Sequence, residues 1–226
     1  MGCLECDFGD RYEAFHQPSD LDKAIKFGEK AISLTQDMND RATALMNIAQ
    51  SHVLKYRNSK ERPMEDFGKA AQYLQECIVI TPLDNPRRTH RLWGLGELYA
   101  VSAVDILSKI ENITDLIKEE AELRVKAARL LCEALYIPSS PVVWRINSGM
   151  ILYDMLGEFE CWESTFEVIS EVLSLLPSLI PRCLALQDKQ ILLGEMHWLP
   201  GGAAGLALKM GSRQQLLWRY LRTPGG

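Results

Sequence analysis

Apolar residues along this chain recur at the spacing of one helix face. Leu21, Ala24, Ile25, Gly28 and Ile32 share a face of a helix expected to start near Asp20. Ser19 is its expected N-cap, with Asp22 three residues on in a box-like position. Ala42, Leu45, Ala49, Val53 and Tyr56 line the next helix, entered through Asn39 and Asp40. Asp84-Asn85-Pro86 opens another run, with proline suited to a first helical position. Ser139-Ser140-Pro141 repeats that entrance before Val143, Ile146, Met150 and Tyr153. Trp162, Phe166, Ile169, Leu173 and Leu176 form the richest apolar stripe. The sequence holds no long alternating run and no Asn-Gly or Asp-Gly hairpin turn, so the chain reads as all-α.

The helices also repeat a pattern of small and large residues. Ala70, Leu74, Cys77 and Pro82 are spaced A-x3-L-x2-C-x4-P. Ala24, Gly28, Ala31 and Gln36 keep that spacing upstream. Ala127, Leu131, Ala134 and Ser139 keep it downstream, as do Thr165, Ile169, Val172 and Pro177. A companion pattern precedes most of these: Leu45, Ile48, Ala49 and His52 are spaced like Leu92, Leu95, Gly96 and Tyr99, and like Ile146, Gly149, Met150 and Tyr153. Self-similarity of this length indicates stacked helix pairs, which bind partners more often than they catalyse.

These are the positions that tetratricopeptide repeats use, and the chain resembles that family at them. The small residues let the two helices of a unit approach closely, and the proline closes the second helix. The expected fold is an all-α, TPR-like superhelical solenoid of antiparallel helix pairs, about four of them over residues 1–187. Residues 188–226 are expected to form an irregular helical cap or a linker to an absent domain. The units run longer than the standard repeat, with about ten extra residues between their helices. The polar stretch Tyr56–Pro63 is expected as one such insertion.

A narrower resemblance lies at both ends. Gly9-Asp10-Arg11-Tyr12, Asp20-Leu21-Asp22-Lys23-Ala24-Ile25, Glu29-Lys30-Ala31-Ile32-Ser33-Leu34-Thr35 and Asp40-Arg41 look like a repeat of fungal proteins that carry degenerate tetratricopeptide arrays ahead of a CHAT domain, a caspase-like cysteine-peptidase fold. Leu175-Leu176-Pro177, Ile180-Pro181 and Ala203-Ala204-Gly205-Leu206-Ala207-Leu208 are similar to the family's segment just upstream of that domain. The resemblance implies a scaffold or regulatory arm of such a peptidase. None of the peptidase-like domain is in this sequence, so it transfers no catalytic His or Cys.

Composition narrows the function classes. At 226 residues and 47% hydrophobic content, the chain can bury a continuous core. A net charge of −5 argues against a nucleic-acid partner, which selects for basic patches. No apolar run approaches the ~20 residues of a membrane span. Glu5, Asp7 and Asp10 stand where a secretory signal would be apolar, and six scattered cysteines suit reduced thiols, so a cytoplasmic location is expected.

Candidate chemistry is sparse. Cys3 and Cys6 form a lone C-x2-C, where a structural zinc site needs a second pair. Met1-Gly2-Cys3 raises N-terminal lipidation but lacks the Ser or Thr wanted at the sixth residue. His16, His52, His90 and His197 show no catalytic spacing, and His52 reads as a packed core ring. The expectation is no enzyme, no metal and no cofactor. The tryptophans, Trp93 among them, mostly lie at helical spacing and are expected in the core, with Trp198 and Trp218 as candidates to cover an interface.

One cluster fits a ligand surface: Arg87, Arg88 and Arg91 at the start of a first helix, with Lys55 and Arg57 ending the preceding first helix. Such a basic groove suits an acidic peptide or terminal carboxylate, as in chaperone adaptors. Solvated helix-end charge accounts for the same residues more plainly. The expected function is therefore a protein-interaction scaffold with a protein or peptide partner. Self-association through the apolar C-terminal residues Leu192, Leu193, Met196, Trp198, Leu199, Leu206, Leu208, Leu216, Leu217, Trp218 and Leu221 is a further expectation.

Overall fold

The computed structural model describes residues 11–12, 14–60, 62–106, 113–179 and 201–211. Its named helices are α1 (Pro18–Leu34), α2 (Met38–Asn58), α3 (Met64–Val79), α4 (Arg88–Ile106), α5 (Ile113–Leu135), α6 (Val142–Glu158) and α7 (Trp162–Leu179). Residues 201–211 are helical too, and no strand occurs among the described residues. The chain divides into two compact units, Met1–Ser140 and Pro141–Gly226.

The helix starts differ from expectation by a residue or two, each for a local reason. Gln17, not Ser19, is the N-cap of α1, because Pro18 takes the first helical position that a proline suits. Asp20 is fully buried there and is held by Arg11 and Lys23 at 3.0 and 3.5 Å. Asp37 starts α2 by accepting from the amides of Asn39 and Asp40 at 2.8 and 3.0 Å. Asn85 accepts from the amide of Arg87 at 2.9 Å, so α4 begins beyond Pro86. Pro177 lies inside α7 rather than closing it. A proline in the last turn removes only one amide from the ladder, which lets the helix run on to Leu179. Tyr56–Asn58 are helical, so part of the extra length of this unit extends α2 to 21 residues, and the non-helical stretch begins at Ser59.

Helices adjacent in sequence pack as antiparallel pairs. Between α2 and α3, Arg41 meets Glu76 at 2.6 Å, the Cys77 thiol donates to the Ala42 carbonyl at 3.1 Å, and His52 meets Asp66 at 2.8 Å. Residue number rises on one helix as it falls on the other. The α4–α5 pair closes through Gly96 against Leu131, and Arg88 meets Glu133 at 3.1 Å. In the second unit, α6 and α7 are joined by a short turn and tied by Arg145 and Glu171 at 3.0 Å. α1 packs on α2 as the second helix of an earlier pair would: Ile32 lies against Ala42 and Leu45, and Lys55 reaches Asp22 at 2.9 Å. The described residues thus hold three complete pairs and α1, where about four pairs were expected.

The repeated positions are the core. Ala70, Cys77, Ala127, Leu131, Ala134, Ile169 and Val172 are 0% exposed. So are Ile48, Ala49, Leu92 and Ile146 of the first-helix pattern. Each fully buried Leu or Ile stabilises the fold by about 1.5–3 kcal/mol relative to exposure. The pattern weakens in α6, where Met150 and Tyr153 are only half-buried and Leu152 and Met155 turn inward instead.

Candidate functional site

The first helices of two successive pairs, α2 and α4, stand side by side and run the same way. Asn85 donates to Asn39 at 3.4 Å near their N-terminal ends. Farther along, the Met46 methyl lies beside Gly94, and the Tyr56 hydroxyl donates to Asp105 at 3.1 Å toward the C-terminal ends. A Cβ on Gly94 would stand 3.3 Å from Met46 Cε, so the two helices touch here through the end of a flexible side chain. Arg57 bridges the two helices by pairing with Glu97 at 3.1 Å.

Equivalent stripes of both helices remain accessible. On α2 they include Met46, Gln50, Leu54 and Arg57, all half-buried or exposed. On α4 the matching residues are His90, Trp93, Glu97, Val101 and Val104. His90 and Trp93, one helical turn apart, stack with centroids 5.8 Å apart and planes 18° from parallel. Burial, and secondarily the Arg91 cation, hold His90 below its ordinary value, so its imidazole is neutral at neutral pH. Behind α2 and α4, Phe67 of α3 touches Tyr56 and Tyr99 at 5.8 and 6.1 Å, and Gln75 donates to the Tyr99 hydroxyl at 2.7 Å. The accessible stripes therefore rest on a packed aromatic layer.

The five basic residues singled out in the sequence do not gather into one groove. Arg88 donates to the carbonyls of Ile78 and Thr81 at 3.0 and 2.9 Å, where α3 ends, and its other nitrogens meet Glu133 of α5. A cation on those C-terminal carbonyls satisfies orphan acceptors and opposes the negative end of the helix. Arg91 is buried and donates to the Thr81 hydroxyl, which itself donates to the Cys77 carbonyl. Lys55 turns to Asp22 on α1. Only Arg57 lies on the shared α2–α4 face, paired with Glu97, while Arg87 is exposed just ahead of α4. Trp93, expected in the core, is half-buried beside His90, which the sequence left near a loop. The signal available in the sequence was the repeat register, which places Trp93 at the position of Met46 in the preceding first helix.

Elsewhere, His52 is a buried ring. Its Nδ1 meets Asp66 at 2.8 Å, and it stacks on Tyr73 at 5.9 Å. Among the described residues, no group of three or more His, Cys, Asp or Glu is arranged to hold a metal. No described helix is long and apolar enough to cross a membrane. Cys3, Cys6, His197 and most of the apolar C-terminal run lie outside the described residues; within it, Leu206 is buried and Leu208 is 72% exposed. No protein-family model matches the chain, and no curated protein matches it in sequence.

Proposed function

We propose that this chain is a protein-interaction scaffold built from TPR-like helix pairs, and that the α2–α4 face binds a peptide segment of its partner. The observation that carries this reading is the pair of parallel first helices, in contact where Met46 meets Gly94, with the half-buried His90–Trp93 stack on them. A half-buried tryptophan on a stiff support loses little side-chain freedom on binding, which is the setting of an interface hot spot. The His90 imidazole stacks beside it and widens the aromatic surface. Leu54, Val101 and Val104 extend the apolar contact along the face, and the Arg57–Glu97 pair gives it a polar edge.

The partner on this reading presents an apolar or aromatic anchor within a short segment. A terminal carboxylate is a weaker fit, because Arg88 and Arg91 are directed to α3. The test is selection of peptides from a displayed library on the immobilised chain, followed by titration against variants. Trp93→Ala is expected to weaken selected peptides by about 2 kcal/mol, roughly thirtyfold. Arg87→Ala is expected to leave them within about twofold. Selected peptides that bind Trp93→Ala and Leu54→Asp as tightly as the parent chain would sink the assignment of this face.

A further inference from the structure

The outer side of α5 carries a second surface. Lys118, Glu122, Val125, Arg129 and Cys132 alternate four- and three-residue steps, which places them on one helix face. With Ala121 and Lys126, the first four line a groove of about 460 Å³. Val125 is 51% exposed at its centre. Among the described residues, Lys118, Lys126 and Arg129 have no ion-pair partner, so three cations with Glu122 among them, a net charge of about +2, run beside the apolar Ala121 and Val125.

The other unit carries the inverse. Phe159, 57% exposed, projects at the turn between α6 and α7, where Glu160 reverses the chain with a φ of 55°. Asp154, Glu158, Glu160, Glu163 and Glu167 around it are all exposed. Partial burial and the neighbouring Glu158 hold the Asp154 carboxyl above its ordinary range.

We infer that this chain associates head to tail with a second copy of itself, the Phe159 corner of one copy seated on the α5 stripe of the next. Glu160, Glu163 and Glu167 then face Lys118, Lys126 and Arg129, and Phe159 covers Ala121 and Val125. The two patches are different surfaces on different units, so the contact is heterologous. Exposed ion pairs contribute little individually, and salt screens them, so the association is weak and salt-sensitive. It does not depend on the peptide-binding reading of the α2–α4 face.

The experiment is sedimentation velocity of the full chain over a concentration series, with two charge-reversed variants. One is Lys118→Glu/Lys126→Glu/Arg129→Glu, the other Glu160→Lys/Glu163→Lys/Glu167→Lys. The parent chain is expected to associate at low salt and to dissociate near 0.5 M salt, where the screening length falls to about 4 Å. Each variant alone is expected to associate at least about tenfold more weakly, and an equimolar mixture of the two to recover the loss. A parent chain that stays monomeric, or a mixture that recovers nothing, overturns the inference.

A second measurement does not rely on the variants' folding. Cys132 ends the α5 stripe and Cys161 adjoins the corner, and both thiols are exposed. A short bismaleimide applied to mixed ¹⁴N- and ¹⁵N-labelled chains is expected to join Cys132 of one copy to Cys161 of another. Cys132–Cys161 links found only within single copies, or no such links, count against it.

Discussion

Gly96 of α4 lies flush against Leu131 of α5: a Cβ built on it stands 2.8 Å from Leu131 Cγ, closer than packed carbon atoms approach. Leu131 is itself fully buried, so it has nowhere to yield. The next glycine upstream differs. A Cβ on Gly94 meets the terminal methyl of Met46 at 3.3 Å, and that flexible side chain can shift. Gly96→Ala is therefore expected to destabilise the chain by about 1–3 kcal/mol, with overpacking outweighing the gain in helix propensity. Gly94→Ala is expected to be neutral or slightly stabilising. Urea unfolding of both variants checks the contrast, and equal effects would contradict it.

Arg88 connects three helices, donating to the carbonyls at the end of α3 and to Glu133 of α5 from the first residue of α4. Its side chain is only 11% exposed, so solvent screens these bonds poorly. Arg88→Ala is expected to cost about 2 kcal/mol, the range for hydrogen bonds from a charged donor. Arg87→Ala, one residue earlier and exposed, is expected to stay within about 0.5 kcal/mol. Thermal unfolding monitored by circular dichroism separates the two.

His90 makes stability depend on pH. Its folded-state value lies below the ordinary 6.5, so as pH falls the unfolded chain takes up a proton first. The stabilisation by neutral His90 is present above pH 6.5 and is lost as pH falls from there through the folded value. The stability of His90→Gln relative to the parent is expected to rise across that window and to be constant above it. Chemical denaturation at a series of pH values reads this directly, and a pH-independent difference would refute it.

Cys77 is 0% exposed, and burial pushes its thiol up to about 11, so it carries almost no thiolate near neutrality. With dithionitrobenzoate at about pH 8, Cys132 and Cys161 are expected to react promptly and Cys77 only after denaturant is added. Peptide mapping of the labelled sites distinguishes them. Rapid native labelling of Cys77 would mean that the α2–α3 pair opens readily.

The helix-pair plan was legible because its signals are local. A small residue where two helices touch, recurring with large apolar neighbours at helical spacing, names both the face and its partner. Ala127, Leu131 and Ala134 are all buried as that pattern requires. Helix ends were less legible, since Gln17, Asp37 and the turn at Asn85 compete with equally plausible neighbours for the same amides. The basic cluster was less legible for a different reason. Arg87, Arg88 and Arg91 are adjacent in sequence, but a guanidinium on a long, flexible stem goes to whichever unsatisfied acceptor lies within reach.

By itself, then, the sequence determined an all-α chain of amphipathic helices paired through small residues, because burial of an apolar stripe depends on periodicity alone. The tertiary structure decided which polar groups are used up inside and which remain for a partner. Arg88 and Arg91 turn inward because the end of α3 presents bare carbonyls and a hydroxyl beside them. Trp93 is left half-buried, its indole stacked on His90. Exposure is a property of the neighbour across the gap, and no spacing along one helix encodes it.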